Sequence, residues 1–118
     1  MMITPLSNSG YREFWLWLIR QRQRLRVAGK SMLPTLSPGD EILFDPNAYQ
    51  QQRPQVGDLV VLQHPFRSDL TIVKRIMAVA ESDRYFVVGD NLVASTDSRH
   101  WGHIKLSNII GRVTSKFN

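Results

Sequence analysis

Three Gly-Asp pairs, Gly39-Asp40, Gly57-Asp58 and Gly89-Asp90, cut most of this chain into short runs and so limit what it can fold into. Glycine reaches positive φ without strain and aspartate bonds its own backbone, so each pair is expected to turn the chain. Between and beyond them, Glu41–Asp45, Asp58–Gln63, Leu70–Ala80, Arg84–Val88 and Asn108–Thr114 are rich in β-branched and apolar residues and read as strands. Pro46–Pro54 reads as a polar surface loop. Ahead of these, Gly10 to Leu25 holds strong helix formers and no proline, with Trp15, Leu18, Ile19 and Arg22 at three-to-four spacing, and reads as a helix. The expected division is a basic amphipathic helix over residues 1–26 and one globular unit over 27–118. One helix before five or six short strands predicts a mainly β fold, a compact bent antiparallel sheet or partly open barrel.

The net charge of +5 is local. Arg12, Arg20, Arg22, Arg24, Arg26 and Lys30 face only Glu13, while the rest of the chain carries nine basic and nine acidic residues. A docking face for duplex DNA more often spreads its basic residues, so no specific nucleic acid is expected as a partner; peripheral membrane contact through the basic helix is. The longest apolar run, Phe14–Ile19, is far short of the roughly 20 residues that span a bilayer. With no cysteine, thiolate chemistry, disulfides and cysteine-ligated zinc are excluded, and a cytoplasmic location is expected.

Two segments carry candidate chemistry. Ser31 follows the turn at Gly29 and precedes Pro34, which suits the first turn of a short helix. There its hydroxyl and its own amide would face the same space, as an acyl-transfer nucleophile and oxyanion donor must. Alone, the segment reads as well as a plain helix start capped by Ser31. A nucleophilic serine needs a base. His64, His100 and His103 sit in loop-like settings, whereas Lys74 shares a strand face with Ile72, Ile76 and Ala78. An ammonium among apolar side chains loses hydration, its pKa falls, and the neutral amine can act as base. Arg75 sits equally well between Val73 and Met77, but arginine stays protonated. A third segment, Gly89-Asp90-Asn91 through Ser95-Thr96-Asp97-Ser98-Arg99, offers hydroxyls to prop a lysine and an Asp97–Arg99 pair to fix the loop.

Ser31-Met32-Leu33-Pro34-Thr35-Leu36, then Val73-Lys74-Arg75-Ile76, then Gly89-Asp90-Asn91 and Ser95–Gly102 resemble, in this order, the type I signal peptidase family. The resemblance covers Val27 to Gly111 and implies that family's β catalytic fold, with no cofactor and no metal. It implies Ser31 as nucleophile and main oxyanion donor through its amide, and Lys74 as general base. Gly29 stands where some members add a hydroxyl to the oxyanion hole, so the hole here relies on backbone. Met32 packs beside the dyad, Ser95 orients the lysine, and Asp90, Asn91, Asp97 and Arg99 form the structural motif. Membrane-bound members carry an anchor and many a large insertion between the lysine strand and Gly89-Asp90-Asn91. Without either, and with His64-Pro65 and the wording Ser95-Thr96-Asp97-Ser98-Arg99, the sequence is similar to the branch that matures nickel-type superoxide dismutase. That similarity implies a precursor protein with a short leader as partner.

Two other readings compete. Self-cleaving repressors also use a Ser–Lys dyad, but they need a DNA-binding helix-turn-helix for which one helix leaves no room. A non-enzymatic adaptor working through Trp15, Trp17 and the arginines, at a membrane surface or on nucleic acid, would leave Ser31 and Lys74 unexplained. A metal role for His100 and His103 would lack further ligands.

Overall fold

The computed structural model describes residues 21–117. These form seven strands: β1 (Gln23–Arg26), β2 (Glu41–Asp45), β3 (Leu59–His64), β4 (Arg67–Ala80), β5 (Arg84–Val88), β6 (Ile104–Lys105) and β7 (Ile109–Phe117). They make one antiparallel sheet in the order β1-β2-β7-β3-β4-β5-β6, which does not close on itself among the described residues. One short helix, α1 (Ser98–Trp101), and two 3-10 turns, Leu92–Ala94 and Leu106–Asn108, lie in the connections. The mainly β expectation holds, and all five expected strands are present within a few residues of their expected ends.

Strand β3 shows why the sheet needs two cores. Leu59-Val60-Val61-Leu62 is apolar without alternation, the pattern of a strand covered on both faces. Val61 packs on one side with Val27, Met32, Leu36, Ile42, Phe44 and Val73. Val60 and Leu62 pack on the other with Ile76, Tyr85, Val87 and Ile104. The first core seats the loop that carries Ser31. The second supports the strand that carries Lys74.

The expected helix lies mostly outside the described residues, but its last part is a strand. Gln23–Arg26 pairs with β2 in the register Gln23↔Phe44 to Arg26↔Glu41. Leu25 packs against the first core, and Arg24 and Arg26 both bond Glu41. Sheet pairing and a shared carboxylate outweigh the modest helix propensity of these residues. The boundary expected at residue 26 therefore falls inside the sheet.

The expected short helix after Ser31 is also absent. Ser31–Leu36 is a run of turns holding one i→i+4 bond, from the Leu36 amide to the Met32 carbonyl at 2.9 Å, and the Leu33–Pro34 peptide is cis. Pro34 donates no hydrogen bond, and Ser37, preceding Pro38, is steered away from helical angles, so the turn does not propagate. The Pro46–Pro54 loop is polar and largely exposed, as expected, yet it is moored where Tyr49 donates to Asp58 at 2.7 Å.

Gly111 sits where β2 and β7 close up. A Cβ there would lie 2.5 Å from the Asp45 carbonyl oxygen and 2.8 Å from a ring carbon of Phe44. Gly111→Ala should therefore push β2 off β7 and cost on the order of 1–3 kcal/mol. Thermal unfolding followed by circular dichroism checks this: a fall of several degrees is expected, and an unchanged midpoint contradicts the packing described.

Candidate active site

Lys74 stands in β4 opposite Val60 of β3, on the face it shares with Ile72. This is the face its alternation predicts, although a register shift between Ile76 and Ala78 leaves Ala78 exposed. Only 4% of Lys74 reaches solvent. Burial pushes its pKa below the ordinary lysine value; the Asp97 carboxylate pulls it partly back, and Arg99 adds to the lowering. The ammonium nitrogen lies 3.1 Å from Ser95 Oγ, and Ser95 in turn donates to Asp97 Oδ2 at 2.7 Å. Ser95 thus links Lys74 to Asp97.

Asp97 is the fixed point of this loop. Wholly buried, it caps α1, and its two oxygens accept five hydrogen bonds. They come from the Gly89 amide, the Ser95 hydroxyl, and the amide, Nε and Nη2 of Arg99. Burial alone would raise its pKa, but the Arg99 guanidinium, the Gly89 amide and the Ser95 hydroxyl hold it well below the usual carboxylate range. Arg99 also ties down the loop carbonyls of Leu92 and Ser95, at 2.8 and 3.1 Å.

Ser31 is placed by the same segment. The Asn91 amide donates to the Ser31 carbonyl at 2.9 Å, and Asn91 Nδ2 donates to the Lys30 carbonyl at 3.1 Å. Asp90 anchors the turn behind it. It accepts both Nε and Nη2 of Arg75, at 2.8 and 2.9 Å, and the Thr35 hydroxyl at 2.6 Å, while its amide meets Met32 Sδ at 3.4 Å. Arg75 reaches on to the Gly57 carbonyl at 2.8 Å. Arg75, on the strand face opposite its neighbour Lys74, is therefore a brace.

These groups converge at Gly89, and here the expected turn glycine is something else. Gly39 and Gly57 adopt positive φ; Gly89 does not. A Cβ on Gly89 would lie 2.3 Å from Ser95 Oγ and 2.5 Å from the Ser31 carbonyl oxygen. Only a residue without a side chain lets the serine loop and the lysine's support approach so closely. Thr35 is likewise part of the site with no sequence signal of its own.

The Ser31 amide and hydroxyl make no hydrogen bond among the described residues, and Lys74 bonds Ser95 rather than Ser31. Catalytic hydrogen bonds in a free enzyme are often long and tighten only on substrate. Ser31 opens onto a cleft of about 290 Å³, with Leu25–Gly29 and Met32 on one wall and Leu70–Val73 on the other. Gly29, at φ 76°, leaves open space where a side chain would stand. The histidines are occupied elsewhere: His64 packs edge-on against Trp101, His100 Nδ1 accepts the Asp97 amide, and His103 packs on Phe86.

Residues 15–81 and 79–117 match the sequence profile of the family described as "Signal peptidase, peptidase S26". The chain is 34% identical to the mitochondrial ATP-independent inner membrane protease subunit 1a of Arabidopsis thaliana, over 73% of this chain and 64% of that protein. It is 27% identical to the probable signal peptidase I-1 of Synechocystis, over 77% of this chain and 68% of the relative. It is 30% identical to the mitochondrial inner membrane protease subunit 1 of Schizosaccharomyces pombe, over 76% of this chain and 69% of the relative. The chain thus spans less than two thirds of the Arabidopsis protein. Among the described residues no helix is long and apolar enough to cross a membrane.

Because Asp97 has a lowered folded-state pKa, its contribution to stability is present above the unfolded value of about 3.9 and is lost as pH falls toward the folded one. The resistance of the native chain to urea should therefore fall steeply below about pH 4. Asp97→Asn should be less stable at neutral pH and flatter across the acid range. Parallel pH dependences for the two proteins would contradict the assignment.

Proposed function

The chain belongs to the signal peptidase family, peptidase S26, and from that premise we propose that it is a serine endopeptidase with Ser31 as nucleophile and Lys74 as general base. The observation that carries the reading is the buried lysine. Its pKa is lowered by desolvation, it is held by Ser95, and it stands across Gly89 from a clamped serine loop whose hydroxyl is unbonded. Each histidine is engaged by a partner of its own, which supports lysine as the base.

The cleft suits an extended peptide. Among the described residues, Thr71–Val73 pair only with β3 and β1 pairs only with β2, so both walls offer unpaired backbone to a bound strand. In the first step neutral Lys74 takes the Ser31 hydroxyl proton as Oγ attacks the scissile carbonyl, and the Ser31 amide faces the resulting oxyanion. The tetrahedral species collapses, the C–N bond breaks, and Lys74 returns the proton to the leaving amine. Water then attacks the Ser31 ester, Lys74 takes the water proton, and the proton passes back to Ser31 as the acid product leaves. Asp97 and Arg99, fixed as an ion pair, keep Ser95 in place as a hydrogen-bond partner for the lysine throughout.

For the substrate we carry forward a protein precursor from which a short N-terminal leader is removed, with nickel-type superoxide dismutase as the precursor to test first and the cytoplasm as the setting. The wording of Ser95–Arg99 and His64-Pro65 supports this branch. The relatives above bear the names of signal and mitochondrial peptidases, and their precursors form the comparison set. Incubation with each precursor, followed by mass analysis of the new N-terminus, decides among them; an uncut nickel-type precursor beside a cut signal-peptide precursor removes the narrower reading.

Ser31→Ala and Lys74→Ala should each abolish cleavage while leaving the circular dichroism spectrum unchanged, since nucleophile and base act as one unit. Retained activity in Lys74→Ala would overturn the mechanism. The rate of the native enzyme should rise with pH through an ionisation below the roughly 10.4 of free lysine, as the ammonium form is lost. A limb governed by an ionisation near the roughly 6.5 of free histidine would point to histidine instead.

A further inference from the structure

Leu92 and Val93 are out of keeping with their surroundings. Val93 is 99% exposed and Leu92 52%, although the turn bearing them is tethered on both sides. Asn91, just before them, clamps the Lys30 and Ser31 carbonyls; the Ala94 amide returns to the Asn91 carbonyl at 3.1 Å; Arg99 holds the Leu92 carbonyl. An apolar step fixed rigidly beside a nucleophile is expected to touch what the nucleophile acts on.

The chemistry says which part. In acyl transfer the leaving amine receives its proton from the base, so the first residue after the scissile bond must come within hydrogen-bond reach of Lys74 Nζ. That nitrogen is 3.1 Å from Ser95. The cleft lined by Leu25–Gly29 and Leu70–Val73 takes in Ser31 but no residue from Gly89 to Ser95, the segment that reaches Lys74. The leader therefore fills the cleft, and the polypeptide beyond the cut leaves over the Leu92–Ala94 turn. Resting on the Ser31–Lys74 reading, the geometry points to Leu92 and Val93 as the contact for the residues that follow the scissile bond, with a preference for apolar side chains there.

Two substrates with the same leader test this. One is a peptide continuing for at least three apolar residues past the cut; the other is a methyl ester ending at it. Val93→Asp should lower kcat/KM about tenfold on the peptide, mainly through KM, and leave the ester within about twofold. Val93→Ile should restore the peptide value. Equal losses on both substrates, or none on either, would overturn the inference. Should the native enzyme turn over neither, the dyad reading fails, and binding of the two compounds to Ser31→Ala, followed by fluorescence anisotropy, still decides. Tighter binding of the continuing peptide, lost with Val93→Asp, supports the contact; equal binding refutes it. Retention of the native chain on phosphatidylcholine–phosphatidylglycerol vesicles, abolished by Val93→Asp with peptide kinetics unchanged, would assign the turn to lipid instead.

Discussion

A carboxylate that loses all contact with water must be met by hydrogen bonds on every side, and the site is built around that requirement at Asp97. Its five donors are drawn from Gly89, Ser95 and Arg99. Satisfying one buried charge therefore fixes the end of β5, the hydroxyl that holds Lys74, and the loop leading into α1. The same carboxylate acts on the lysine at longer range, partly offsetting the desolvation that lowers its pKa. A base that titrates too low would be weak, and one that titrates too high would stay protonated. At Lys74 apolar burial and the Asp97 charge oppose each other, with burial the larger effect.

A second ion pair does for the serine what the first does for the lysine. Asp90 and Arg75 join the turn after β5 to β4, and Thr35 and Met32 bring the serine loop onto the same carboxylate and amide. Two adjacent residues of one strand thus face opposite ways, Lys74 toward Ser95 and Arg75 toward Asp90. Their order follows from the chemistry of the side chains, since a permanently charged guanidinium can brace a carboxylate but cannot accept a proton.

Much of this was legible in the sequence because it rests on local rules. Strand alternation put Lys74 and Arg75 on opposite faces, and the β-branched runs gave five strands. What escaped depends on contacts between distant segments. Gly89 looks like Gly39 and Gly57 in sequence, yet its role is set by Ser95 and Ser31 crowding it from elsewhere in the chain. Gln23–Arg26 has helix-forming residues and becomes a strand because β2 offers it a partner and Glu41 a shared charge. Thr35 carries no signal of its own until Asp90 is folded against it. The turn at Leu92–Ala94 is similar: only exposure and tethering, both tertiary properties, set it apart.

If the Ser31 hydroxyl becomes acylated with Lys74 as its base, as proposed, a covalent trap reads this directly. An activated peptide ester that acylates quickly and hydrolyses slowly is mixed with the protein, the reaction is quenched in acid, and the adduct is mapped by peptide mass spectrometry. One acyl group is expected, on Ser31, forming faster as pH rises and absent in Lys74→Ala. An adduct on another residue, or undiminished acylation of Ser31 in Lys74→Ala, would contradict it.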